Sequence, residues 1–197
     1  MTLTEDRSAT EARHAMIVSQ LRTSGVNEPW VLTAMGRVAR ENFVPAAMRD
    51  AAYIDRAIAL ENGRFLAAPL VHGKILAEAA PTQDDKVLLV GEANGYLAAL
   101  LRPLAGSLTV VDPAEAAALA GEGGYSLVVI DGAIEELPAA LAAQVVDGGR
   151  VVTGLVVRGV TRLASGVKAA GAVSLLPLIE MGIPVLPEFA APKHWSF

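Results

Sequence analysis

The run Lys86-Val87-Leu88-Leu89-Val90-Gly91-Glu92-Ala93-Asn94-Gly95-Tyr96 constrains this chain more than any other stretch. An uninterrupted apolar segment ends at a glycine, and the helix-favouring residues 97–101 follow. A strand that is apolar at every position needs cover on both faces, as strands of a parallel sheet have. The turn after it is sharp enough to need glycine, and glycine lets a ligand approach bare backbone. The helix that opens next presents free N–H groups to an anion. Strand, tight turn and helix in that order begin a nucleotide-binding α/β domain. Ala93 stands where a G-x-G-x-G pattern has its middle glycine, so the fingerprint is incomplete. Gly91, Glu92, Ala93, Asn94 and Gly95 are the candidate ligand contacts.

The rest of the chain extends this into an α/β fold. Residues 87–90, 107–111, 125–130 and 150–157 read as strands of a parallel sheet with helices on both faces. A helix over 134–146 separates the last two. Strands at 161–167 and 172–178, turning near Gly171, fit an antiparallel end to the sheet. Upstream, apolar spacing predicts a helix over 10–22 stopped by Ser24-Gly25. A second runs over 29–38, with Asn27 as cap and Pro29 in its first turn. Further helices are expected at 46–53 and 69–80, with loop or short strand between. Residues 1–80 thus form a helical segment packed on an α/β core of 81–197, together one compact unit.

Composition removes several function classes. A net charge of −5 and a pI near 5.2, with no basic run, argue against a nucleic-acid partner. With no cysteine, a disulfide scaffold, a thiolate metal site and a cysteine nucleophile are excluded. His14, His72 and His194 lack ligand spacing, so no metal site is expected. No stretch reaches the ~18 apolar residues of a membrane span, and the polar N-terminus lacks a signal core. A cytoplasmic protein without membrane contact is the expectation. Gly-x-Ser-x-Gly and Gly-Lys-Ser/Thr patterns are missing, which removes support for acyl transfer and nucleotide hydrolysis.

Four side chains have a functional and a structural reading. Asp112 ends the second strand about 20 residues after the glycine turn, where an acid accepts ribose hydroxyls in dinucleotide and S-adenosylmethionine sites. Asp112-Pro113 is equally a helix cap with proline at the first helical position. Asp131 is a pocket wall, or a cap or turn residue. Glu92 faces the amino group of a methionine moiety, or solvent. His72 approaches the ligand edge of the sheet, or is structural.

Several segments resemble the protein-L-isoaspartate O-methyltransferases, especially short alphaproteobacterial-type members. Met16-Ile17-Val18-Ser19-Gln20-Leu21-Arg22 is similar to that family's opening helix. Val38-Ala39-Arg40-Glu41-Asn42-Phe43-Val44-Pro45 resembles its V-P-R-x-x-F-V-P segment, and Ala51-Ala52-Tyr53 its x-A-Y. The 87–96 run resembles its cofactor turn. Val185-Leu186-Pro187-Glu188-Phe189 and Trp195-Ser196-Phe197 resemble the C-terminal end of the short relatives. The resemblance implies a Rossmann-like S-adenosylmethionine-dependent methyltransferase fold. It also implies carboxyl methylation of isoaspartyl and D-aspartyl residues in a protein or peptide substrate. A carboxylate nucleophile is ionised at pH 7, so positioning rather than a strong base carries such a reaction.

Three departures from the family pattern set further expectations. The substrate loop Leu66-Ala67-Ala68-Pro69 has Ala67 where active members carry serine, so no catalytic residue is assigned. Ala93 is expected to press on the cofactor or distort the turn. Between Asp112 and Tyr125 the family's further helix, edge strand and helix are absent. The crossover must still descend roughly 18 Å and move sideways roughly 10 Å. A helix over 113–120 of ~12 Å and an extended 121–124 of ~13 Å just reach that far. The fold survives, with the adenine side of the pocket open and cofactor binding and activity weak or lost. The alternatives are a non-catalytic interaction module and a small-molecule binder using the half-pocket at 91–95. The bared edge at 107–111 predicts a homodimer through that edge.

Overall fold

The computed structural model describes residues 3–60, 63–121 and 123–191. His194 and the 195–197 motif lie outside them. The apolar runs give a central sheet in the order 107–111, 86–90, 125–134, 145–157, 160–169 and 172–173, with 176–180 also paired to 160–169. Its strands are β3 (Lys86–Val90), β4 (Ser107–Val111), β5 (Tyr125–Ile134), β6 (Val145–Val157), β7 (Val160–Ala169), β8 (Ala172–Val173) and β9 (Leu176–Glu180). A small hairpin, β1 (Ile58–Ala59) with β2 (Phe65–Leu66), stands apart. The contacts of β3 with β4 and β5, and of β5 with β6, are parallel. Those of β7 with β6 and β9 are antiparallel.

Local chemistry sets the turns at the antiparallel end. Arg158 and Gly159 both have positive φ between Val157 and Val160, the two-residue hairpin geometry that matches strand twist. Ala170 and Gly171 repeat it before β8.

The N-terminal part lies against one face. Helix α1 (Leu3–Met16) runs into a π-helical turn, Ile17–Leu21, and a 3-10 turn, Arg22–Ser24. Gly25 ends the run in the left-handed conformation, φ 79°. Helix α2 (Pro29–Arg37) has Glu28, not Asn27, as its N-cap, because Pro29 fixes the residue before it outside the helix. Helix α3 (Pro69–Ala79) buries His72, Ile75, Leu76 and Ala79, one stripe at spacings of three and four. Ile75, Leu76 and Ala79 share a single core cluster with Val87, Leu89, Leu127, Val129 and Val152 of the sheet. The opposite face packs a second cluster around Val90, Ile130, Leu141 and Phe189.

Two helices are shorter than the sequence suggests. Helix α6 spans Ala139–Gln144 rather than 134–146, because β5 continues to Ile134 and β6 begins at Val145. Helix α5 spans Pro113–Ala116 rather than 113–120, and the chain then turns through Gly121 toward β5. Gln144 Nε2 donates to Gly121 O at 2.9 Å and ties this crossover to α6. Among the described residues no strand lies between β4 and β5 in the chain, and β4 is the sheet edge. None of the described helices is long and apolar enough to cross a membrane.

Candidate functional site

Strand order reverses at β3, which has β4 on one side and β5 on the other. Such a point opens a crevice at the carboxyl ends of the strands, where ligands bind in open α/β sheets. A cavity of about 650 Å³ lies there. Its floor is the glycine turn after β3, one wall carries Asp112 after β4, and Asp131 of β5 faces it. The segment Asn42–Pro45, the hairpin residues Arg64, Phe65 and Leu66, and 184–188 complete it.

The turn is built on close backbone approach. Gly91 N donates to Val111 O at 2.9 Å, and Gly95 N to Glu92 O at 2.9 Å. A β-carbon on Gly95 would lie 3.0 Å from Glu92 O, so the turn closes over its own backbone there. Gly91, Glu92, Asn94 and Gly95 line the cavity, whereas Ala93 does not. Ala93 is exposed and has no positive φ. Ala93 thus stands outside the cavity lining, and its backbone has no left-handed strain. Its carbonyl accepts from Arg102 Nη2 at 3.2 Å, which fastens the turn to α4 (Tyr96–Leu101) and the residue after it.

Asp112 is the helix cap that one of its two readings expects, and it also lines the cavity. Its Oδ1 accepts from Ala114 N at 2.9 Å and caps α5. The same oxygen accepts from Arg64 Nη2 at 3.1 Å. Arg64 Nη1 also pairs with Glu188 Oε1 at 2.8 Å, so one guanidinium joins the hairpin, the end of β4 and the C-terminal segment.

Asp131 is neither a helix cap nor a turn residue. It lies within β5, which continues because 184–186 docks beside it. Ala133 N donates to Pro184 O at 2.7 Å, and Leu186 N to Ala133 O at 2.8 Å. His72 is fully buried in α3, and its Nε2 lies 3.1 Å from Asp131 Oδ1. Its Nδ1 lies 3.2 Å from Arg40 Nη1. A guanidinium only donates, so Nδ1 accepts and the ring proton sits on Nε2, aimed at Asp131.

Arg40 is the largest fully buried side chain among the described residues. It donates from Nε to Ala52 O at 2.7 Å and from Nη2 to Ala67 O, and lies 4.9 Å from the Tyr96 ring centroid. Burial lowers its pKa below the ordinary arginine value, against the pull of Tyr96 and Asp131. Burial pushes the Tyr96 hydroxyl well above its ordinary value. Beside them Arg13, Glu41 and Tyr53 form a closed triad. Arg13 donates to Tyr53 Oη at 2.7 Å and to Glu41 at 3.0 Å, and Tyr53 donates to Glu41. Burial and the bond to Glu41 push Tyr53 up to about 12.

The substrate loop sits differently from its expectation. Leu66 lines the cavity, while Ala67, Ala68 and Pro69 are buried outside its lining. Ala67 contributes its carbonyl to Arg40. Sequence reasoning assigned no site role to Arg40, Arg64 and Glu188. An arginine inside the 38–45 segment was the one signal for Arg40. Among the described residues no group of three His, Asp or Glu has metal-ligand geometry.

Residues 12–122 match the family model described as Protein-L-isoaspartate(D-aspartate) O-methyltransferase (PCMT). Protein-L-isoaspartate O-methyltransferase 2 of Anaeromyxobacter sp. is 33% identical, over 75% of this chain and 71% of its own. The Methanoculleus marisnigri protein-L-isoaspartate O-methyltransferase is 30% identical, over 84% of this chain and 87% of its own. Among solved structures, a protein-L-isoaspartate O-methyltransferase superposes with a TM-score of 0.69. It is 15% identical and covers 90% of this chain and 67% of that one. A Plasmodium falciparum beta-aspartate methyltransferase, in complex with S-adenosyl-L-homocysteine, gives 0.66 at 14% identity over 89% of this chain and 98% of its own. At such identities the structures establish a shared fold.

Proposed function

This chain belongs to the protein-L-isoaspartate(D-aspartate) O-methyltransferase family, and on that premise we propose that its switch-point cavity takes S-adenosylmethionine and methylates carboxylates of isoaspartyl residues in protein or peptide substrates. The observation that carries the reading is the cavity itself. A glycine turn closed over its own backbone, and an acid held by Arg64, face each other across about 650 Å³. That volume suits a nucleoside-sized ligand. The donor set also fits the cofactor, because carboxylates outnumber the single guanidinium of the wall and the cofactor carries a sulfonium cation.

When bound, S-adenosylmethionine would supply a methyl group to an attacking carboxylate, the O–CH3 bond forming as the S–CH3 bond breaks and S-adenosylhomocysteine leaves. The chain's own residues bind and orient. Gly91 and Gly95 keep the turn bare of side chains where the ligand backbone approaches. Asp112 Oδ2 receives ribose hydroxyls, and Glu92 stands at the turn for the methionine amino group. Leu66 and Phe65 line the cavity and are the residues that a bound peptide would meet. No general base is required, because the acceptor is already ionised. Alignment of the two reactants supplies the rate. With β4 as sheet edge, the adenine end has less protein around it than a further strand would give. Weaker cofactor affinity and slow turnover follow. The same edge supports association of two copies through β4. A monomer in sedimentation equilibrium at high concentration would refute that part.

The test is transfer of labelled methyl from S-adenosylmethionine to an isoaspartyl peptide, with the aspartyl peptide as control. Label that appears only on the isoaspartyl peptide, and leaves as methanol at alkaline pH, supports the reading. No transfer to either peptide, with cofactor shown to be bound, contradicts it and favours the non-catalytic module.

A further inference from the structure

The isoaspartyl reaction asks for no base, yet the cavity contains a carboxylate held by a buried histidine. Among the described residues its wall carries Glu92, Asp112, Asp131 and Glu188 against Arg64 alone. Arg64 is committed to Asp112 and Glu188. Glu92 is exposed on the turn. Asp131 is the inner one, with its side chain 20% exposed. A β-carbon on Gly91 would lie 3.2 Å from Asp131 Cβ, so Asp131 packs through its Cβ against the ligand turn. Val90 and Ile130, the neighbours of Gly91 and Asp131, are paired in the sheet. Asp131 therefore stands at the crevice where strand order reverses.

Its orientation is fixed from behind. Arg40 donates to Nδ1 of His72, which places the ring proton on Nε2 and aims it at Asp131 Oδ1. Arg40 is itself fixed by two carbonyls and the Tyr96 ring. One oxygen of Asp131 is thus occupied by the histidine, and the other remains for the cavity.

We infer that Asp131, oriented by His72 and Arg40, is the carboxylate that selects a cationic centre in the ligand over the neutral thioether left after methyl transfer. The inference rests on the reading of the cavity as an S-adenosylmethionine site. Methyl transfer converts a sulfonium into a thioether, while the ribose and amino-acid parts stay the same. A carboxylate near the sulphur distinguishes the two states by charge alone and favours release of the product. Contact with the amino group would instead hold both states equally.

The test compares three probes by calorimetry: S-adenosylmethionine, an analogue with an amine in place of the sulfonium, and S-adenosylhomocysteine. The expected result is about a tenfold preference of the wild type for the two cations. In Asp131→Asn that preference is lost, while affinity for S-adenosylhomocysteine is unchanged. His72→Gln, whose amide still accepts from Arg40 and donates to Asp131, keeps most of the preference. His72→Leu loses it, and thermal melts of each variant separate this from unfolding. Equal binding of all three probes by the wild type, or an unchanged ratio in Asp131→Asn, would overturn the inference and leave the cofactor site standing. Binding of none of the three would overturn both.

Discussion

Replacing Arg40 by leucine tests whether the buried guanidinium fastens the N-terminal helices to the site. The substitution removes the donors to Ala52 O, Ala67 O and His72 Nδ1. A buried acceptor left without its donor costs ~1–3 kcal/mol. At the low end of that range, the three groups together lose about 3 kcal/mol. The stacking of Arg40 over Tyr96 adds ~1 kcal/mol, and relief from burying a cation offsets a similar amount. A net loss of about 3 kcal/mol follows, or a fall of ~6–12 °C in melting midpoint for a chain of this size. Urea denaturation gives the free energy, and an unchanged m-value certifies the same transition. Arg40→Lys keeps the charge but lacks the planar fork, so it should recover less than half of the loss. A leucine variant within ~0.5 kcal/mol of wild type would refute the reasoning. It would mean that removing the cation's desolvation outweighs its three hydrogen bonds.

Three further outcomes are expected. Ala93→Gly should leave affinity for S-adenosylhomocysteine unchanged within about twofold and cost ~0.5 kcal/mol through unfolded-chain entropy; a large affinity gain in calorimetry would show that the methyl does obstruct the ligand. Gly132→Ala should loosen the 184–188 segment and weaken ligand binding about tenfold, since the new methyl would fall 2.5 Å from Leu186 Cγ; unchanged amide exchange at Leu186 and unchanged affinity would contradict this. Burial pushes the Asp85 carboxyl up, but bonds from Ser126, Thr82 and Arg150 outweigh it and hold it below its ordinary value. Its stabilisation is therefore present at neutral pH and is lost as pH falls through the lowered value. Asp85→Asn should be less stable by about 2 kcal/mol at pH 7, with the gap closing at strongly acidic pH; a gap independent of pH would refute the assignment.

The sheet was legible because continuous apolar runs at 87–90, 107–111 and 125–130 admit few alternatives to parallel strands. The hairpin at Arg158-Gly159 follows from the same logic of turn residues. Residues 134–146 were not legible in detail. Alanines at 139–143 suit helix, but no local signal says that β5 runs on to Ile134 or that β6 begins at Val145. The far end of β5 is held by docking of 184–186 on Ala133, a contact some 50 positions away in the chain, and Val145 pairs with Tyr125. The glycine turn and Asp112 could be located because their chemistry is local. Arg40, His72 and Asp131 could not be grouped, since they come from three separate elements and meet only after the helical layer packs on the sheet. Ala93 departs from the pattern, and its exposed place outside the cavity lining could not be read from the sequence.

The most direct test of the account is calorimetric titration of the purified protein with S-adenosylhomocysteine. The cavity between Gly91, Gly95 and Asp112 predicts saturable binding at micromolar to tens-of-micromolar affinity, lost when Gly95 is replaced by valine. No heat at millimolar ligand, from protein shown by its melt to be folded, would contradict the assignment of this cavity to the cofactor.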